Sequence, residues 1–191
     1  MPHSPELGNS IMIYLSGALK SSLTGKRPDV GVMVGYRKSQ SVANGTNRLS
    51  RTLWAADNGC FTDPNLNVSA YLAWLQRLQR WQETCLFATA PDVVGDCEQT
   101  WERSRPVLPA NRKLGYAAAL VAQDGIEDKA IPWDAFDCLF VGGSTEWKLS
   151  TNTHGFVVRR SITANGFTWD VSIRFAEFCR LDSPGVIQLT G

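Results

Sequence analysis

Two rhythms of apolar positions alternate along this chain. Short apolar runs predict strands at 11–16, at 30–35 and at 52–56, the last ending in Asp57-Asn58-Gly59. Between 69 and 82 the period becomes helical. Tyr71, Trp74, Leu75, Leu78 and Trp81 fall on one face, and Ser69 stands where a cap is needed. Residues 84–88 read as a buried strand bounded by Pro91. Residues 96–107 read as a helix stopped by Pro109. The run 116–122 is continuously apolar, as a parallel strand covered on both faces is. Another strand at 137–141 ends at Gly142-Gly143. A short strand at 156–158, a helix at 169–179 and a strand at 186–189 complete the pattern.

Strands separated by helices imply βαβ units and a parallel sheet. Roughly eight strand segments, few with a full helix between them, predict an α/β fold. Its expected form is a small (β/α)8-type barrel with some helices shortened or missing. A doubly wound open sheet is the alternative. There is no internal repeat, low-complexity tract or flexible linker, so residues 1–191 are expected to form a single domain.

Composition narrows the class. Hydrophobic residues make up 43% and charged residues 19%, as in an ordinary globular protein. No apolar run is long enough to cross a bilayer, and residues 1–10 lack the pattern of a secretory signal. No membrane partner is therefore expected. The five cysteines, Cys60, Cys85, Cys97, Cys138 and Cys179, are odd in number and show no CxxC spacing. That argues against a disulfide framework or a zinc knuckle and fits a reducing cytoplasm. Net charge is only +1. Its distribution is uneven: residues 1–51 hold seven basic side chains against two acidic ones, and the rest holds twelve against sixteen. A basic N-terminal end suits a phosphate backbone, and equally a solvated face.

Candidate chemistry gathers at the predicted strand ends. Four of them finish in polar or glycine-containing clusters: Asp57-Asn58-Gly59, Pro91-Asp92, Gln123-Asp124-Gly125 and Gly142-Gly143-Ser144. Each alone has a plain explanation. Asn58-Gly59 and Asp124-Gly125 suit tight turns, Asp92 suits a helix cap, and paired glycines permit close packing. Recurrence at four strand ends argues for more, because strand C-termini of a β/α barrel share one face. Together they would suit a flat, polar purine. A carboxylate accepts from the N–H groups of guanine's Watson–Crick edge, and an amide or backbone N–H donates to its carbonyl. A second carboxylate can shuttle the proton that a departing base needs. His3 and His154 are too few and too isolated for a metal centre, so none is expected. The phosphate-binding and dinucleotide fingerprints are absent, and no cofactor is expected.

These motifs resemble a known family. The order Trp54-Ala-Ala-Asp57-Asn-Gly-Cys-Phe61, Phe87-Ala-Thr-Ala-Pro-Asp92-Val-Val-Gly-Asp96, Ala119-Leu-Val-Ala-Gln123-Asp-Gly125 and Phe140-Val-Gly-Gly-Ser144-Thr-Glu-Trp-Lys148 is similar to transglycosylase-related proteins of phages and bacteria. These belong with the tRNA-guanine transglycosylase superfamily, whose DNA-acting branch inserts deazaguanine bases into DNA. The resemblance covers about residues 52–149. It implies that Asp57 is the general acid/base and that Asp92 binds the guanine edge. Gln123 and the backbone around Gly142, Gly143 and Ser144 would read the carbonyl and exocyclic groups. The family's nucleophile is an aspartate near the last strand. It attacks the anomeric carbon, expels guanine and leaves a covalent intermediate that the incoming base resolves, as in a retaining glycosidase with a base in place of water.

The chain departs from the family at that nucleophile. Where relatives show Asp-x-x-Asp, it has Leu181-Asp182-Ser183-Pro184-Gly185, with no second aspartate three residues on. Asp182 is the catalytic candidate there, or else a turn residue before Pro184. The cysteine cluster that binds zinc in the tRNA enzymes is also missing. The expected function is exchange of guanine for a deazaguanine base in nucleic acid, DNA ahead of tRNA, in a bacterial or phage-infected cytoplasm. Lys20, Lys26, Arg27, Arg37 and Lys38 are the candidate phosphate contacts. A partner protein that opens the duplex would fit, since exchange needs an extruded base. Two alternatives stand beside this: a non-catalytic purine- or nucleic-acid-binding module, and another barrel lyase or hydrolase with Asp57 and Asp92 as generic acids.

Overall fold

The computed structural model describes residues 10–16, 30–36, 49–130, 132–150, 159–164, 167–172 and 186–190. Its strands are β1 (Ser10–Ser16), β2 (Val30–Gly35), β3 (Trp54–Asp57), β4 (Cys85–Thr89), β5 (Ala118–Ala122), β6 (Cys138–Val141), β7 (Arg159–Ala164), β8 (Phe167–Ser172) and β9 (Val186–Thr190). The helices are α1 (Val68–Leu78), α2 (Cys97–Ser104), α3 (Leu108–Lys113) and α4 (Thr145–Lys148). Strands β2 to β6 form a parallel sheet in sequence order, and β1 extends it parallel to β2. The α/β class and the parallel sheet expected from the apolar pattern are both present. The order of β1–β6 has no reversal, so the doubly wound alternative does not describe it.

The last third departs from the expected barrel. A (β/α)8 wall would continue with parallel strands after β6. Instead β7, β8 and β9 pair antiparallel, and β9 lies antiparallel to β1. The described sheet therefore runs β6-β5-β4-β3-β2-β1-β9-β8-β7 and is not an eight-stranded parallel barrel. The helix expected at 169–179 also gives way, because Trp169 to Ser172 lie in β8. The local reason is a period of two: Phe167, Trp169 and Val171 alternate with Thr168, Asp170 and Ser172. Ala164 pairs with Phe167 across the sequence Asn165-Gly166, a strong short-range hairpin signal. The strand expected at 156–158 lies outside the described residues.

Helix α1 anchors one face of the sheet. Its cap is Asn67 rather than Ser69: the Asn67 side chain accepts from the Ala70 N–H at 3.0 Å. Tyr71, Trp74, Leu75 and Leu78 are buried, as their spacing predicts, and Trp81 follows in a 3-10 segment (Gln79–Thr84). Burying Leu75 and Leu78 contributes about 1.5–3 kcal/mol each. Alternate residues of β3 enter different cores. Trp54 and Ala56 pack with Val32, Leu75 and Ala88, whereas Ala55 packs with Phe87, Leu120 and Leu139. The polar tips of three buried rings find carbonyls: Trp54 Nε1 donates to Trp81 O at 3.0 Å, Tyr71 OH to Thr89 O at 2.7 Å and Tyr116 OH to Leu75 O at 2.8 Å. These bonds tie α1 to β4 and to the start of β5 without leaving those tips orphaned.

The helix expected at 96–107 is present but ends earlier, at Ser104, and a second helix follows it. Asp96 caps α2, accepting from the Gln99 N–H at 2.9 Å, and α3 begins at Leu108. Pro109 sits in the first turn of α3 and does not act as a stop, because that position needs no N–H donor. Among the described residues no helix is long and apolar enough to cross a membrane.

Candidate functional site

Parallel strands deliver their C-terminal ends to one side of a sheet, so the residues after β3, β4, β5 and β6 are neighbours. Asp92, after β4, stands between the ends of β3 and β5. Its carboxylate is buried, with one oxygen accepting from Asn58 Nδ2 at 3.0 Å and the other from Gln123 Nε2 at 2.6 Å. Both amides are themselves fixed. Asn58 Nδ2 also reaches Ala90 O at 2.7 Å, its Oδ1 accepts from the Cys60 N–H at 2.7 Å, and its own N–H donates to Thr89 Oγ1 at 2.9 Å. Gln123 Oε1 accepts from the Gly95 N–H at 2.9 Å. A carboxylate has about four acceptor sites. The two amides and the Asp92 main-chain N–H use three, so capacity remains for a ligand's N–H.

Burial pushes the Asp92 carboxyl above the ordinary carboxylate range. The Asn58 amide draws it back, the nearby Asp57 charge raises it further, and the Arg103 guanidinium lowers it. Arg103 also donates to the Asp92 main-chain carbonyl at 2.9 Å. Asp57, half-buried at the end of β3, accepts from the Gly59 N–H at 3.3 Å. Burial raises the Cys60 thiol to about 11, so it is no thiolate nucleophile at neutral pH.

The fourth strand end closes the group. Gly142 donates its N–H to Ala122 O at 2.9 Å, and a Cβ built there would stand 2.8 Å from Gln123 Nε2. Gly143 has a φ of +79°, a conformation that disfavours other residues, and its Cβ would strike the Trp147 ring. Ser144 gives both its N–H and its hydroxyl to Asp124, at 2.7 and 2.5 Å. Among the described residues the Gly143 N–H, lying between these two engaged amides, has no acceptor.

Asp57, Asp92, Gln123, Gly142, Gly143 and Ser144 thus gather at one end of the sheet, as their places after strands predict. Ser144 has already committed its donors. Asp182, Lys20, Lys26, Arg27, Arg37 and Lys38 lie outside the described residues, as do His3 and His154. Three further residues stand with this group. Asn58 reads as a turn in Asp-Asn-Gly but braces the buried carboxylate. Asp124 does precede a left-handed Gly125, yet its side chain holds the neighbouring strand end. Phe61, 85% exposed, follows on a turn made by the Thr62 and Asp63 N–H groups on Gly59 O. An aromatic so exposed, four residues after Asp57 in the sequence, is a usable stacking face.

Two carboxylates, two amides and a spare backbone N–H suit a neutral ligand rich in N–H groups better than an anion. Among the described residues no group of three His, Cys, Asp or Glu side chains could hold a metal ion. No protein-family model, curated protein or solved structure matches this chain.

The raised Asp92 carboxyl makes stability depend on pH. The folded protein holds that proton more tightly than the unfolded chain does. The resulting stabilisation is full below the unfolded carboxylate value and is lost as pH rises through the raised one. Asp92→Asn cannot titrate. Urea unfolding between about pH 4 and about pH 7 should show the stability of wild type relative to Asp92→Asn falling as pH rises. A difference that is flat over this range would contradict a buried, titrating Asp92.

Proposed function

We propose that this chain exchanges guanine for a deazaguanine base in nucleic acid, DNA ahead of tRNA, on a scaffold derived from a β/α barrel. The observation that carries the reading is the buried Asp92 carboxylate, braced by Asn58 and Gln123 with Asp57 close by. The four ordered motifs that resemble guanine transglycosylases supply these same groups. The consecutive strand order β1–β6 is that of a barrel wall.

In this reading the N–H groups of guanine's Watson–Crick edge bond to Asp92, and its carbonyl accepts from the Gly143 N–H. Phe61 offers an aromatic face to a base. Asp57 acts as the acid/base: guanine leaves poorly as an anion, so a proton reaches its ring nitrogen as the glycosidic bond breaks. A carboxylate attacks the anomeric carbon, forms a glycosyl–enzyme ester and is released when the deazaguanine nitrogen attacks in turn and passes its proton to Asp57. Asp182 is the candidate for that nucleophile. The missing Asp-x-x-Asp favours a second reading, a purine-binding module that keeps the pocket without the chemistry.

Labelled guanine incorporation into single-stranded DNA, duplex DNA and tRNA tests the proposal. Asp57→Asn should slow exchange by about 100- to 10,000-fold while guanine still binds. Asp92→Asn should weaken guanine binding itself by about 2–4 kcal/mol, since a donor then faces the guanine N–H groups. Exchange by Asp57→Asn at the wild-type rate would refute the assigned mechanism. Guanine binding without exchange in any polymer would establish the module reading instead.

If Lys20, Lys26, Arg27, Arg37 and Lys38 all meet phosphates, affinity for single-stranded DNA should fall roughly 100-fold between about 50 and about 200 mM salt. Filter binding across that range measures it. A salt-independent affinity would remove these residues from the interface.

A further inference from the structure

We infer that Asp124 is a positioning residue that fixes the Gly143 N–H, and with it the choice between a base carrying an oxygen and one carrying a weaker acceptor at the position that N–H meets. This inference rests on the purine-site reading above. A glycine pair has more backbone freedom than any other dipeptide, so a donor on Gly143 is useful only if its peptide is held. The peptide is held on three sides. Before it, the Gly142 N–H is bonded to Ala122 O at 2.9 Å. After it, Asp124 accepts both the N–H and the hydroxyl of Ser144. Beside it, the Trp147 ring fills the space where a Gly143 Cβ would go. That ring is held in turn, because Trp147 Nε1 donates to both Glu127 oxygens at 3.0 and 2.9 Å and its main-chain N–H donates to Ser144 Oγ at 3.1 Å.

The clamp has a geometric consequence. Gln123 and Asp124 are adjacent on the loop after β5. Gln123 braces the Asp92 carboxylate, and Asp124 braces the Gly143 peptide. One loop thereby sets the spacing between an acceptor for the N–H edge of a purine and a donor for its carbonyl. Loosening Asp124 should release the donor and leave the acceptor in place. A residue that served only stability would weaken every ligand alike.

Guanine and 6-thioguanine separate these cases. Both present an N–H edge of the same pattern to Asp92, and they differ chiefly where sulfur, a larger atom and a weaker acceptor, replaces the carbonyl oxygen. Calorimetric titration of the full chain should show a preference for guanine in wild type. That preference should fall roughly tenfold, towards none, in Asp124→Ala. Asp124→Asn keeps an acceptor for the Ser144 N–H and should retain most of it. Amide hydrogen exchange supplies a readout independent of any ligand: the Ser144 N–H should be protected in wild type and exposed in Asp124→Ala. Equal weakening of both bases, an unchanged preference in Asp124→Ala, or an unprotected Ser144 amide in wild type would overturn the inference. If wild type binds neither base, the purine reading falls and this inference falls with it. A lost Asp124 effect on top of intact guanine binding overturns the inference alone.

Discussion

A carboxylate buried at the end of a parallel sheet is costly to ionise, and Asp92 is held there by amides from the strands on either side. Asn58 follows β3 and Gln123 follows β5, while Asp92 follows β4 between them. Neither amide could reach it without the in-order parallel pairing of those three strands. Their own remaining groups are satisfied by Ala90, Cys60 and Gly95, so neither can swing away without orphaning a buried partner. The arrangement fixes an acceptor of known direction in a place that water reaches poorly. It also makes Asp57 consequential, since a second negative charge nearby raises the Asp92 carboxyl further.

The remainder of the site extends the same economy of backbone and short side chains. β6 contributes no functional side chain of its own beyond Ser144, which is engaged with Asp124. What it contributes is backbone, brought close by glycines that leave room for Gln123 and Trp147. The core beneath pairs large and small residues, Trp54 against Ala55 and Phe87 against Ala88, and helices pack on both sides of it, α1 with Trp54 and α3 and α4 with Ala55. Tyr71 belongs to both systems. It is part of the buried face of α1, and its hydroxyl holds Thr89 O at the end of β4, three residues before Asp92.

Much of this could be read from residues alone. Strands β2 to β6 announce themselves as apolar runs, and β5 is buried at every position, as its unbroken run requires. Asp57, Asp92, Gln123 and the glycine pair stand out as candidates because each ends or follows such a run. Asn58 does not, because Asp-Asn-Gly spells a turn and a cross-strand brace with the same letters; only the partner 34 residues away distinguishes them. Asp124 was hidden in the same way, being a turn residue whose side chain looks across to another strand. The end of the chain misled for a different reason. Residues 167–172 alternate strictly, but the aromatic and charged residues around 169–179 also fit a helical face, and the Asn165-Gly166 hairpin signal outweighs that reading.

The central claim is that the strand ends form one purine-recognition site oriented by Asp92. A crystal structure determined with saturating guanine tests it most directly. Guanine should be seated at the ends of β3 to β6, its N–H edge on the Asp92 carboxylate and its carbonyl on the Gly143 N–H. Guanine bound elsewhere, or bound there with that edge turned away from Asp92, would contradict it.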